Sequence, residues 1–225
     1  MAQRSQVVLE PRKSPVQARS TASVDAILDA TIQVLLSVGK ERLTTTRVAL
    51  RAGVSVGTLY QYFPNKIALL QAVLKRHLGE VTETVELVCE EQRGRTLRQM
   101  VTALIRSFLE AKMKDPKTSV ALYSVSSDVD GVRIGQQMGL RSNRAIVRML
   151  ESASDPLGTD PQPVASVLQG AMVGVSRRML ESGAAEKQFE SLRRELIVMA
   201  RAYVEACSPA GAGSGVGVSP LDGTS

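Results

Sequence analysis

Between Leu69 and Val88 the apolar residues Leu69, Leu70, Val73, Leu74, Leu78, Val81, Val85 and Val88 mostly fall three or four positions apart, with His77 on the same stripe. Only a helix gathers residues at that spacing onto one face, because a strand turns every second side chain to the same side. The same period recurs along most of the chain, and apolar alternation never persists long enough to draw a strand. The sequence therefore predicts an all-α protein, and a hydrophobic content of 44% is enough to give it a real core.

Capping and breaking residues divide the chain into segments. A first helix is expected over 23–38, capped by Ser23 and ended by Gly39, with Val24, Ile27, Leu28, Ile32, Leu35 and Val38 inward. A short second helix follows, with Thr45 as its expected cap and Val48, Ala49 and Ala52 facing the core. Gly53 then supplies a left-handed residue for a sharp reversal, Val54 fills the turn, and Ser55 stands where the cap of a third helix over 56–63 belongs. Leu59 and Phe63, four apart, take the inner face of that helix, which leaves Val56, Gly57, Thr58, Tyr60, Gln61 and Tyr62 for solvent or a ligand. Pro64 closes it, and Asn65 caps the long helix that carries the stripe. Further helices are expected over 96–114, 117–127, 132–152, 163–182 and 186–206. Residues 1–19, with Arg4, Arg12, Lys13, Arg19 and two prolines, read as a flexible basic arm, and the Gly/Ser/Pro-rich residues 208–225 as a disordered tail.

Charge is unevenly placed. Residues 1–66 hold nine Lys and Arg against four Asp and Glu, whereas the rest of the chain is close to balance within a total of +6. A basic first third suits a module that neutralises phosphates and releases their counterions, although a solvated basic tail gives the same count. Two separated cysteines, Cys89 and Cys207, read as isolated thiols in a reducing cytoplasmic setting, with redox sensing left open. No uncharged apolar run reaches the roughly 18 residues of a membrane span, so no membrane partner is expected.

Gly53-Val-Ser55-Val-Gly57 also fits the G-x-S-x-G elbow of serine hydrolases, with Ser55 as nucleophile. That elbow needs a buried strand before the serine and a general-base histidine, and the chain offers a helix-patterned TTRVALRAG and the single His77 on an apolar face. A capping role for Ser55 explains more residues. No catalytic residue, metal-ligand set or cofactor is assigned, since phosphate-loop and paired Cys/His patterns are missing.

Two short helices joined by a glycine turn and flanked by longer ones form a helix-turn-helix, whose second short helix enters the DNA major groove. The stretch LTTTRVALRAGVSVGTLYQYFPNKIALL resembles the helix-turn-helix signature of the TetR/AcrR family of bacterial transcriptional regulators, notably at Ala49, Gly53, Val54, Ser55, Thr58, Leu59, Tyr60, Phe63, Lys66 and Leu69. With its flanking helices the similarity covers about residues 20–88. The resemblance implies an all-helical homodimer with a DNA-binding domain over 20–66 and a larger ligand-binding and dimerisation domain over 67–207, linked by the helix from 65. It implies a repressor that leaves a palindromic operator when a small, partly apolar effector binds. A DNA-binding scaffold acting through protein partners is the alternative.

Carried onto this sequence, the pattern assigns double-stranded DNA contacts to Thr45, Thr46 and Arg47 and to Ser55, Val56, Gly57, Thr58, Tyr60, Gln61, Tyr62 and Lys66. Val56, Gly57 and Thr58 are placed against base edges, while Tyr60, Tyr62 and Lys66 are assigned to phosphate, with packing as the alternative for both tyrosines. Arg12, Lys13 and Arg19 either visit the minor groove or stay solvated. Phe108, Tyr123, Met138 and Met172, with Met100, Met113 and Met149, are either pocket lining or core filler. Gly170 and Gly174 with the stripe Leu192, Leu196, Met199 and Tyr203 fit a four-helix dimer seam, or packing within one chain. His77 reads as a core or domain-interface histidine.

Overall fold

The computed structural model describes residues 18–182 and 185–209. Among these residues the regular structure is entirely helical. The first helix, α1, spans Ala18–Arg42 and breaks at Gly39, whose φ of 75° no other residue type adopts cheaply. Its start differs from the expected one. Nothing between Ala18 and Ser23 breaks a helix, so the helix passes through Ser23 and takes in Ala18 and Arg19, which the sequence reading assigns to the arm. Arg12, Lys13 and the tail from 210 lie outside the described residues.

Next come α2 (Thr45–Ala52), α3 (Val56–Tyr62) and α4 (Lys66–Glu91). The cap of α2 is Thr44, one residue before the expected Thr45. Thr44 is extended and its hydroxyl accepts from the Arg47 amide at 3.3 Å. Of three successive threonines the first takes the cap, because that register turns Val48 and Ala49 into the core. Gly53 (φ 69°) ends α2, donating to Ala49 and Leu50 carbonyls, and Asn65 caps α4 by accepting from the Ala68 amide at 2.8 Å. The remaining helices are α5 (Leu97–Met113), α6 (Pro116–Val125), α7 (Gly131–Glu151), α8 (Pro161–Glu181) and α9 (Ala185–Ala206). Thr96 and Gln99 close a capping box on α5, and Asp115 followed by Pro116 starts α6.

Two apolar clusters form. The first joins Ile27, Leu35, Val48, Leu59, Phe63, Leu69 and Val73 to Leu122, Val125, Val129 and Ile134 from α6, the link after it and the start of α7. The second gathers Val85, Leu104, Phe108, Ile146, Met149, Met172, Leu196 and Val204. Each large side chain so buried contributes about 1.5–3 kcal/mol. Helix α4 serves both clusters, with its first half in one and its second half in the other. Segment 22–42 is long and apolar enough to cross a bilayer by composition alone. Here its Ile27, Leu28, Val34 and Leu35 face the first cluster while Asp25 and Asp29 point toward Arg76 of α4.

Candidate nucleic-acid interface and ligand cavity

Ser55 has a plain structural task. Its backbone is extended, at φ −68° and ψ 152°, and its Oγ accepts from the Thr58 amide at 2.9 Å while lying 2.8 Å from the Thr58 hydroxyl. Helix α2 and the Gly53 turn stand where a nucleophile elbow needs a strand. The one histidine is engaged elsewhere, with Nε2 3.1 Å from Ser119 Oγ.

Leu59 and Phe63 are completely enclosed and fix the roll of α3. That roll leaves Ser55, Gly57, Tyr60 and Gln61 exposed and Val56, Thr58 and Tyr62 half-buried. Tyr62 packs against the first cluster with part of its ring. Tyr60 reaches back to α2, where its hydroxyl lies 3.0 Å from that of Thr45. Thr46 and Arg47 are exposed on α2, and Leu50, one turn further on, is 83% exposed. Lys66 is already partly committed: its ammonium donates to the Lys40 carbonyl at 2.7 Å, just past the Gly39 break. Phosphate would share Lys66 with that carbonyl, which still leaves two of its three N–H donors.

Under α4 lies a cavity of about 390 Å³, walled by Leu74, Leu78, Val81 and Val85 and closed by α5, α6, α7 and α8. Phe108, Tyr123, Met138 and Met172 all reach it. Met100 and Met149 do not; they are fully buried core residues. The volume lies in the range of small-molecule sites. Lys112 also lines the cavity, a residue the sequence reading passed over. Its signal was there: Leu97, Val101, Ile105, Phe108 and Lys112 repeat on the buried face of α5, and a lysine ends the series.

The expected dimer residues divide. Gly170 and Gly174 are exposed on α8 beside Val167 and Val173, and Met199 is 47% exposed on α9. Leu192 and Tyr203 are half-buried. Leu196 belongs to the chain's own core at 3% exposure, because the stripe runs along the edge of the buried face and its inner side falls inside.

Burial pulls the His77 imidazole down to about 4, and the nearby Lys112 charge adds to it while Asp115 opposes. Burial pushes the Cys89 thiol up to about 12, with Arg148 partly offsetting it.

The family described as "Bacterial regulatory proteins, tetR family" matches residues 27–73, and "Tetracyclin repressor-like, C-terminal domain" matches residues 96–203. The chain belongs to the TetR family. Its relatives include the HTH-type transcriptional repressor KstR of Rhodococcus jostii, 29% identical over 149 residues that make up 65% of each chain. Another is the nucleoid occlusion factor SlmA of Actinobacillus pleuropneumoniae, 35% identical over 35% of this chain and 38% of that one. The matches thus span less than two thirds of these relatives' length. Among solved structures, SmeT, repressor of a Stenotrophomonas maltophilia multidrug efflux pump, covers 82% of this TetR-family chain and 89% of its own at 24% identity, with a TM-score of 0.60. A Rhodococcus transcriptional regulator reaches a TM-score of 0.66 at 18% identity over 83% of this chain and 97% of that one. At these identities the likeness is one of fold.

Proposed function

We propose that this chain is a homodimeric, DNA-binding transcriptional repressor that a small molecule releases from its operator. The observation that carries the reading is α3: a helix capped at Ser55, anchored by Leu59 and Phe63, with Gly57, Tyr60 and Gln61 outward. In the major groove, Val56, Gly57 and Thr58 would meet base edges, Thr46, Arg47, Tyr60 and Lys66 would hold phosphate, and Thr45 would brace Tyr60 from α2. Two copies joined through the exposed faces of α8 and α9 would set their recognition helices about 34 Å apart, matching a palindromic site. An effector in the cavity would touch α4 directly through Leu74, Leu78 and Val81. Since the amino-terminal half of α4 lies in the core of the helix-turn-helix, a ligand that prefers one setting of α4 shifts the whole recognition surface. Such a regulator acts where the chromosome is, in the cytoplasm.

The cavity favours this over the scaffold reading, which needs no internal space. The test is an electrophoretic shift with DNA flanking the protein's own gene, followed by footprinting and light scattering. A two-fold symmetric footprint from a dimer is expected; equal affinity for unrelated DNA, or a strict monomer, would overturn the reading.

A further inference from the structure

Lys112 is 5% exposed, near the carboxy-terminal end of α5, and faces the cavity. None of the ion pairs among the described residues includes it. Its ammonium donates to the Tyr123 hydroxyl at 3.2 Å and lies 5.2 Å from the centre of that ring. A buried cation is expensive to keep without a counter-charge, and a phenol supplies none. The negative end of α5 and the tyrosine face ease that cost without explaining why the lysine points into an open space.

Apart from Ser142, the other polar groups on the cavity wall are already occupied. Thr82 Oγ1 donates to the Leu78 carbonyl, Ser126 Oγ to the Tyr123 carbonyl, and Gln169 Nε2 to the Gly139 carbonyl while its Oε1 accepts from Asn143. At the rim, Arg177 is paired with Glu181 at 2.7 Å. An ammonium has three N–H donors, and Tyr123 takes one. Around it the wall is apolar, formed by Leu78, Val81, Phe108, Ile146, Met138 and Met172.

We infer that the effector of this chain is an apolar organic anion, whose carboxylate or comparable acidic head pairs with Lys112 while its hydrocarbon body fills the space beneath α4. The inference rests on the cavity being the effector site and adds the charge of the ligand. A carboxylate closing on the ammonium replaces a missing counter-charge, and a charge-assisted bond in a dry site discriminates strongly against neutral analogues. An amine of the same shape meets like charge and is rejected.

The experiment uses the full chain and phenylnaphthylamine, an uncharged dye that brightens on entering apolar space, displaced by decanoate, decanol or decylamine. Decanoate should displace the dye at about tenfold lower concentration than decanol, with decylamine weakest. In Lys112→Met, which keeps an unbranched side chain one atom shorter and removes the charge, dye binding should persist while decanoate and decanol become equal. Lys112→Gln serves the same purpose should the methionine variant misfold. An unchanged preference for decanoate in both variants, or none in the unaltered protein, overturns the inference, while persisting dye binding leaves the cavity standing as a ligand site. A separate variant, Gly135→Phe, fills the cavity from a position where an added Cβ meets nothing within 4 Å. Dye binding that ignores Gly135→Phe places the dye elsewhere and overturns the cavity reading together with the inference.

Discussion

The Gln71 side-chain amide donates to the Val129 carbonyl at 3.0 Å, a buried bond that ties the first half of α4 to the link between α6 and α7. It spans 58 positions, and Val129 itself belongs to the apolar cluster of the helix-turn-helix. An exposed pair nearby, Lys40 with Asp128 at 3.0 Å, joins the same link to the end of α1. The link is thus held to both helices that frame the recognition element.

Gln71→Met keeps the volume and removes the donor. The Val129 carbonyl is left unpaired inside the protein, which costs about 1–3 kcal/mol. Urea denaturation should show a lower midpoint with an unchanged slope. Electrophoretic titration with and without decanoate should show a smaller ligand effect on DNA affinity than in the unaltered protein.

Gly57→Ala separates packing from recognition. An added Cβ meets only Ser55 Oγ, at 3.7 Å, so stability should move by no more than about 1 kcal/mol. DNA affinity should fall or change its base preference, because a methyl group now stands at the closest approach to the groove. Ser55→Ala should do the reverse, lowering stability by about 1 kcal/mol through loss of the cap and leaving no hydrolytic activity to lose. Equal DNA binding by Gly57→Ala on every sequence would remove Gly57 from the interface.

Tyr60→Phe deletes one exposed hydroxyl and its contact with Thr45. Stability should change by less than about 0.5 kcal/mol. Affinity should drop by a similar factor on all DNA sequences, as expected for a phosphate contact, and this is read from parallel shifts in titrations on operator and random DNA.

His77 makes stability pH-dependent. Its folded-state pKa, about 4, lies below the usual 6.5, so the unfolded chain binds a proton that the folded chain refuses. Stability should therefore be full above pH 6.5 and decline as pH falls toward 4. Allowing for partial solvent screening, the contribution is about 2 kcal/mol. His77→Gln should flatten thermal melts across that window, leaving the carboxylate contributions below it.

Cys89 should be unreactive in the folded protein. It is 2% exposed and its thiol is pushed up to about 12 by burial, so almost no thiolate exists at neutral pH. Titration with a thiol reagent should modify Cys207 first, and Cys89 only after denaturant is added. Rapid modification of both would reopen a redox role for Cys89.

Local chemistry carried the helix-turn-helix. The Gly53 reversal, the Ser55 and Asn65 caps and the Leu59–Phe63 pair are each settled by residues within a few positions, so they could be read from the chain directly. Family resemblance lay in the same stretch for the same reason. Thr44 against Thr45 escaped this reading, because three adjacent threonines cap equally well and only the burial of Val48 and Ala49 chooses among them. Phe108, Tyr123, Met138 and Met172 were named as a group without any spacing to connect them, and four separate helices bring them to one cavity.

What the sequence alone determined is the set of helices, their caps and the outward face of α3, since these follow from the period of apolar residues and from short-range hydrogen bonding. Tertiary packing alone decided that Leu196 turns inward, that Lys66 and Gln71 reach carbonyls across the fold, and that Lys112 looks into apolar space. A helical stripe says that a side chain faces something; the neighbouring helices, placed by contacts distant in the chain, decide what it faces.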